Sequence, residues 1–319
     1  MRILAEALDR EVLLADAGTE DRLRALAVDV ARDLFGAEGC VAVLSLTRAR
    51  LLRGLHEEQL RAGADLIRTN TNQASPLELR RFRLEEEAFA INYAAAQMAS
   101  AAVDAVPGGD RRRFVLGIVR DLGWDATPQE IEEATALQAS ALIAGGADGV
   151  ALEIATDACR GPAFLQGARR AKEEAKSAAG IFIFQNGGDA PESLRRLADG
   201  VIRYRELATV DEAGVTDALR DAANLIGGKR AEDTATLDQV LRAMAVETTR
   251  PPIDPTLGSL DVPSVPGFSP SLRRHPVQKS RGTSPSIAGD VIYCPSRWAG
   301  RTPFPFAGAR GIPRKGGGK

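Results

Sequence analysis

The sequence predicts an α/β fold: a (β/α)8 TIM-type barrel, or such a barrel lacking some of its units, followed by an irregular C-terminal tail. Three observations lead there. Short apolar runs alternate with long amphipathic segments over residues 1–250, which is the pattern of parallel strands joined by helices. The GxGxxG and GxxxxGKS/T motifs of dinucleotide-binding and P-loop folds are absent. A complete barrel usually takes about 250 residues.

Six apolar runs are short enough to be buried parallel strands. They occupy residues 12–15, 64–67, 114–119, 149–152, 181–184 and 224–226. Helices are expected between them, over residues 47–63, 77–106, 127–145 and 162–179. Thr127, Pro128 and Glu130 form a good helix start.

The composition is that of an ordinary globular protein. The 319 residues are 44% hydrophobic and 26% charged, with a formal net charge of -2, which excludes collagen-like and fully disordered chains. No charge excess points to nucleic acid or an anionic membrane as a partner. The three cysteines, Cys40, Cys159 and Cys294, are widely spaced. They predict no disulfide framework and a cytoplasmic location.

The chain is expected to divide near residue 250. Residues 251–319 hold 12 of the 17 prolines and carry 10 Lys and Arg against 3 Asp and Glu. A segment of this composition cannot easily bury apolar area, so we expect it to be extended or disordered. Two interpretations stay open: a basic tether for an acidic partner, or a tail without a selected role.

Polar residues at the strand ends are the candidate site, because chemistry in a barrel lies at the C-terminal ends of its strands. Asp16 and Glu153 could receive a ligand amine, and Thr69 and Asn70 could bond a carboxylate or phosphate. Arg120, Asp121, Gln185 and Asn186 follow two further strands. Together these residues favour a small polar ligand.

Residues 46–71 are the most specific part of the sequence. They contain a Leu-Thr-Arg segment, a His, and Ala-Gly-Ala-Asp-Leu-Ile-Arg-Thr-Asn-Thr. This stretch resembles the homocysteine S-methyltransferase family, which writes it as Leu-Thr-Arg-Pro, His and Ala-Gly-Ala-Asp-Ile-Ile-Glu-Thr-Asn-Thr. Residues 16–19, 114–117 and 146–153 support the resemblance, which is strong over about residues 10–175 and weaker to about 245.

The resemblance implies a (β/α)8 barrel that transfers a methyl group to the sulfur of homocysteine, giving methionine. It implies that Asp16 and Glu153 match the family acids near the homocysteine amino group. It also implies that Thr69 and Asn70 line the same pocket. Arg68 departs from the family pattern, which has Glu at this position.

The family also implies zinc, which converts the homocysteine thiol into a bound thiolate. Its three cysteine ligands follow the sixth and eighth strands, and this sequence has neither motif. We therefore assign no metal ligands. Cys159 with Asp157 and a histidine is a weak substitute set, since His56 falls in a helix and His275 in the tail.

Two alignments place the end of the barrel differently. In the first, residues 224–226 are the eighth strand, about two strand–helix units are deleted, and Lys229 and Arg230 stand where both zinc cysteines should be. These two cations would repel a dication and could attract a carboxylate or phosphate. In the second, residues 224–226 are the sixth strand, residues 252–255 the seventh, and the eighth is lost.

Three functions stay open at this stage. The first is methyl transfer to homocysteine. The second is a degenerate, zinc-free barrel that binds a small amino acid or anion, or serves as a subunit of a methylating system. The third is a different enzyme on the same scaffold. The expected partners are a homocysteine-like small molecule and either a second copy of the chain or a methyl-donor protein, with no nucleic acid and no membrane.

Overall fold

Seven parallel strands form one ring in the part of the chain that the structure describes. The structure is a computed structural model that describes residues 4–247 except 107, 109–110, 124, 155–159 and 187–189. The strands are Leu13–Leu14 (β1), Leu66–Arg68 (β2), Phe114–Arg120 (β3), Gly149–Glu153 (β4), Gly180–Gln185 (β5), Gly200–Glu206 (β6) and Leu225–Gly227 (β7).

The ring closes at β1, its shortest strand. Each strand pairs with the next in parallel from β2 to β7, and β7 pairs with β1 through Leu13 opposite Leu225. On the other side of β1, Ala15 bridges Leu66. There the Asp65 amide donates to the Leu14 carbonyl at 2.8 Å. The predicted TIM-type barrel is confirmed, with seven strands in the described residues instead of eight.

Helices follow the strands and cover the outside of the ring. Before and after β1 they are Leu4–Arg10 (α1), Thr19–Arg24 (α2), Val30–Asp33 (α3), Leu44–Thr47 (α4) and Ala49–Arg61 (α5). After β2 and the later strands they are Pro76–Leu79 (α6), Ala88–Ala105 (α7), Pro128–Ala144 (α8), Gly161–Glu174 (α9), Glu192–Arg195 (α10), Glu212–Arg220 (α11) and Asp233–Glu247 (α12).

The predicted helix starts and stops are largely confirmed. Thr127 and Glu130 form a full capping box at the start of α8. One prediction is wrong: residues 77–106 are not a single helix. They contain α6, two 3₁₀ turns and α7, and Arg83 between the turns has a left-handed φ of +60°. That residue cannot continue a right-handed helix.

All six predicted strands are found, and one strand was missed. Strand β6 alternates buried Ile202 and Tyr204 with half-buried Val201, Arg203 and Arg205. A search for apolar runs overlooks such a strand, because only one of its faces is buried. The outer face of β6 is less covered than that of other strands, since α10 before it has only 4 residues.

The position of β7 agrees with one feature of the first alignment. Because β7 pairs directly with β1, residues 225–227 close the ring as its last strand, as in the first alignment. The strand that the second alignment proposes at residues 252–255 lies outside the described residues. The described residues supply seven strands of the ring, whereas a deletion of about two units would leave six.

Two apolar layers hold the barrel together. The inner layer fills the ring and includes Phe182, Leu66 and Leu116, and Leu4 and Leu8 of α1 close it at the N-terminal ends of the strands. Gly180 is required beside Phe182, because a Cβ there would lie 2.4 Å from the ring atom Cζ. The outer layer lies between strands and helices, where α8 and α9 pack closely.

An ion network ties the last helix to the base of the ring. Arg111 donates from Nε to Asp65 at 2.8 Å, and its Nη1 also contacts Asp238 of α12. Asp65 in turn accepts the Leu14 amide at 3.0 Å.

No helix of the described residues is long and apolar enough to cross a membrane.

Protonation of His56 is predicted to destabilise the fold in acid. His56 of α5 is 0% exposed, and burial lowers its pKa from 6.5 to about 4. The unfolded chain binds this proton near pH 6.5 and the folded chain only near pH 4. The contribution of His56 to the free energy of unfolding is therefore complete at neutral pH. On acidification below about pH 6.5 this free energy falls by up to about 1.4 kcal/mol per pH unit.

Urea unfolding at pH 7 and pH 5 tests this prediction against a His56→Leu variant, which lacks the titrating group. We expect the unmodified protein to lose about 2 kcal/mol more than the variant between the two pH values. The variant also corrects for carboxylates that titrate in both proteins. Equal losses in both proteins would contradict the prediction.

Candidate functional site

One pocket of about 250 Å³ opens at the C-terminal ends of the strands. Seven of the ten candidate residues line it, namely Asp16, Thr69, Asn70, Arg120, Glu153, Asn186 and Lys229, whereas Asp121, Gln185 and Arg230 do not. The fold thus brings together side chains that are far apart in sequence. Three further residues matter for its chemistry: Arg68, Tyr204 and Glu206.

Asp16 at the end of β1 is buried and bound to Arg68. Its Oδ1 accepts from the amide and from Nε of Arg68, at 3.1 and 3.0 Å, and its Oδ2 accepts from the Thr19 hydroxyl at 3.2 Å. Only 2% of its side chain is exposed. Asp16 was predicted to receive a ligand amine, but Arg68 already provides its counter-ion.

Arg68 is held in place from two sides. Besides Asp16, its guanidinium lies over the ring of Tyr204, 5.1 Å from the ring centre. Burial alone would lower the pKa of Arg68, but Tyr204 and Asp16 raise it overall, so Arg68 stays charged. Burial has the opposite effect on Tyr204, because it raises the pKa of this hydroxyl and keeps it neutral. The fixed guanidinium is thus a pre-organised donor facing the pocket.

Arg120 and Glu153 form a second ion pair, on two adjacent strands. They end β3 and β4, are register partners, and meet at 3.1 Å between Nη2 and Oε1. Both are partly exposed, at 42% and 30% of their side chains. Each therefore keeps free hydrogen-bonding capacity, and the pair offers a donor and an acceptor side by side.

The predicted residues that follow β2, Thr69 and Asn70, have only acceptor capacity left. The Thr69 hydroxyl accepts the Ile118 amide at 3.0 Å and contacts the Thr71 hydroxyl at 2.7 Å. Since Thr71 donates to the Ile118 carbonyl, Thr69 must donate to Thr71. Asn70 donates from Nδ2 to the Val41 carbonyl at 2.8 Å and to the Ser45 hydroxyl at 3.5 Å. Their remaining oxygen lone pairs suit a ligand ammonium better than a carboxylate.

Lys229 and Arg230 after β7 both line a groove of about 570 Å³ beside the pocket, and only Lys229 lines the pocket as well. Lys229 lines the pocket, and its side chain has no ion pair among the residues described. Arg230 instead pairs with Asp233 at 3.1 Å and with Glu232 at 3.4 Å, and 69% of its side chain is exposed. An anion site formed by both cations therefore stays a prediction for the groove, while the pocket receives only Lys229.

The described residues do not fit the zinc ion that the family resemblance implies. No three His, Cys, Asp or Glu side chains among them converge as a metal site. Lys229 and Arg230 follow the last strand, where the first alignment requires two cysteines. Cys40 is buried elsewhere, and burial raises the pKa of its thiol to about 11. Asp157, Cys159 and His275 lie outside the described residues.

Sequence reasoning did not select Tyr204 and Glu206, because the strand that carries them was missed. The alternation of apolar and charged residues over 200–206 could have revealed β6. Arg68 was noticed only as a departure from the family pattern, and Arg120 only as one strand-end residue. Asp121 was another candidate, but it pairs with Arg160 at 2.9 Å.

The fold and pocket define a (β/α) barrel with a small-ligand site at the C-terminal ends of its strands. Residues 13–216 match the homocysteine S-methyltransferase family. The chain belongs to this family. Methionine synthases of Mycobacterium leprae and Mycobacterium tuberculosis are 28% identical to it over 188 and 179 residues. These alignments cover 56% and 54% of this chain and 15% of each relative, so the chain spans a small part of their length.

Solved structures agree on the fold. The homocysteine methyltransferase MmuM from Escherichia coli, in its metallated form, superposes with a TM-score of 0.53 at 18% identity. The match covers 73% of this chain and 97% of that one. Its oxidized form gives a TM-score of 0.52 at 19% identity.

Coupling between Asp16 and Arg68 is predicted to stabilise the folded barrel. Asp16→Asn leaves a half-buried guanidinium without its counter-ion, and Arg68→Gln leaves a buried carboxylate alone, so each single variant should be destabilised. The double variant should lose about 1–3 kcal/mol less than the sum of the two. Urea unfolding of the four proteins measures this coupling, and strictly additive losses would argue against it.

Proposed function

We propose that this barrel binds a small α-amino acid of the homocysteine class in the pocket at the C-terminal ends of its strands. The observation that carries the proposal is the Arg120–Glu153 pair. A zwitterion presents an ammonium and a carboxylate on neighbouring atoms. A carboxylate and a guanidinium side by side match both groups at once.

Neighbouring acceptors support this orientation of the ligand. The lone pairs left on Thr69 and Asn70 line the same pocket as Glu153, so the ammonium has up to three acceptors. Arg120, with Nη2 shared with Glu153 and its other donors unassigned, is the group for the α-carboxylate. In this proposal Glu153 keeps the role that the family resemblance gives it. Asp16 becomes a positioning residue for Arg68.

Methyl transfer to the homocysteine sulfur is the second candidate, and membership of the family favours it. A free thiol is mostly protonated at neutral pH and reacts poorly in that form. The donors that would activate it as a zinc thiolate are not among the described residues, and an active enzyme needs them from Cys159, Cys294 or another source. A protein that supplies the methyl donor and a second copy of this chain are the partners proposed for this activity.

Amino-acid binding can be tested by calorimetry with four ligands. L-Homocysteine is compared with L-methionine, with 4-mercaptobutanoate, which lacks the ammonium, and with 3-aminopropane-1-thiol, which lacks the carboxylate. We expect both amino acids to bind and each truncated ligand to bind at least tenfold more weakly, since each loses one charge-assisted contact of about 1.5–3 kcal/mol. Equal affinity for the truncated ligands would contradict a zwitterion site.

Glu153→Gln should weaken binding of L-methionine about tenfold or more, because it removes the charge that faces the ammonium. The matched control is Glu132→Gln. Glu132 pairs with Arg170 at 2.7 Å on helices α8 and α9 and is 31% exposed, close to the 30% of Glu153. The control should bind as the unmodified protein does. If both variants bind alike, Glu153 does not hold the ligand.

Metal content separates the two candidates. We expect mass spectrometry of the purified protein, with homocysteine present, to find less than one tenth of a zinc ion per chain, because the described donors do not form a site. About one zinc per chain, lost in a Cys159→Ala variant, would instead favour the methyltransferase.

A further inference from the structure

Beneath its polar rim, the pocket has an apolar floor formed by three side chains. Ile118 of β3, Phe184 of β5 and Tyr204 of β6 line the pocket and belong to the inner apolar layer of the ring. They are 4%, 6% and 5% exposed. The rings of Phe184 and Tyr204 are in contact, with their centres 5.3 Å apart and their planes tilted by 30°. A ligand that enters the pocket therefore meets a largely aromatic surface at its base.

Tyr204 reaches from β6 to the last strand of the ring. A Cβ at Gly227 of β7 would lie 2.8 Å from the Tyr204 hydroxyl oxygen, so the ring occupies the space that a side chain at this position would need. Lys229, where the first alignment requires a zinc cysteine, follows Gly227 by two residues. An aromatic ring thus lies beside the strand end at which the family resemblance implies a metal-bound sulfur.

The charges around the floor give a ligand thiolate no support. Asp16 and Arg68 neutralise each other, and Glu20 pairs with Arg24. Two further carboxylates and one cation line the pocket, and all three are exposed: Asp21, Glu206 and Lys229. A thiol that faces more carboxylates than cations stays protonated, and a neutral thiol is only a weak hydrogen-bonding group.

A thioether gains more than a thiol from such a floor. The methyl group on its sulfur adds buried apolar area, which is worth roughly a fourfold gain in affinity, and a thioether sulfur makes favourable contacts with aromatic rings. Strands β5 and β6 follow β4 in the ring. The side chain of an amino acid held by the ion pair at the ends of β3 and β4 can therefore extend directly over Phe184 and Tyr204.

We infer that this pocket selects an α-amino acid whose side chain is a thioether, as in L-methionine, over the free thiol of L-homocysteine, and that Phe184 and Tyr204 determine this preference. The inference rests on the proposed function, because the Arg120–Glu153 pair must hold the α-ammonium and the α-carboxylate. The pocket then favours the methylated state of the amino acid, which is the product of methyl transfer to its thiol.

Calorimetry of the protein as purified, with a phosphine reductant that keeps the thiol reduced, tests the inference with L-methionine, L-homocysteine and L-glutamine. We expect methionine to bind about fourfold or more tightly than homocysteine. It should bind about tenfold more tightly than glutamine, whose amide loses hydrogen bonds to water over an apolar floor. Homocysteine or glutamine binding as tightly as methionine would overturn the inference and leave the proposed function standing. No binding by any of the three would overturn both.

Phe184→Leu should lower the methionine affinity about threefold or more, because it removes one ring from the floor. Its matched control is Phe182→Leu. Phe182 belongs to the same strand and the same inner layer, is 1% exposed and does not line the pocket. This control should bind methionine as the unmodified protein does. Unchanged methionine affinity in a folded Phe184→Leu protein would reject the role of the floor.

Nuclear magnetic resonance of the unmodified protein tests the same contact if Phe184→Leu does not fold. Selective saturation of the aromatic protons of the protein should pass to bound methionine, and most strongly to its S-methyl group, because that group lies on the rings. Stronger transfer to the α-proton than to the S-methyl group would place the side chain away from the floor and overturn the inference.

Discussion

Strand β1 contributes only Leu13 and Leu14 to the ring, and yet it must join β7 on one side and β2 on the other. Two residues offer few backbone hydrogen bonds, so side chains complete the closure. The Asp65 carboxylate accepts the Leu14 amide, and the Gln59 carbonyl oxygen accepts the Ala17 amide at 3.1 Å. Closure therefore depends on a few buried polar contacts, and such contacts are costly to lose.

The same contacts link the base of the ring to the pocket. Asp65 also accepts from Arg111, and Arg111 in turn contacts helix α12. The side-chain oxygen of Gln59 also accepts from the Thr234 hydroxyl of α12 at 2.6 Å. At the upper end Asp16 holds Arg68. The residue that shapes the ligand site is thus bound to the residue that ends the closing strand, so site and scaffold share one network.

The sequence predicted the barrel because its apolar runs and glycine stops are local signals. It also placed Asp16, Thr69, Asn70 and Glu153 at one end of the ring, since the ends of parallel strands must meet. What it could not predict depends on partners distant in sequence. Whether Asp16 faces a ligand or an arginine depends on the side-chain path of Arg68 over Tyr204. The strand carrying Tyr204 was itself hidden, because its outer face is only partly buried.

Ring closure also has a consequence for how the chain is made. The partners of Leu13 and Leu14, Leu225 and Ile226, are synthesised more than two hundred residues later. At about 5–20 residues per second, the nascent chain holds an open-edged sheet for roughly ten seconds or more. During that time β1 has no partner on one side, and exposed strand edges favour pairing with other chains. The order of the strands therefore leaves this edge of β1 open to other chains until β7 has been made.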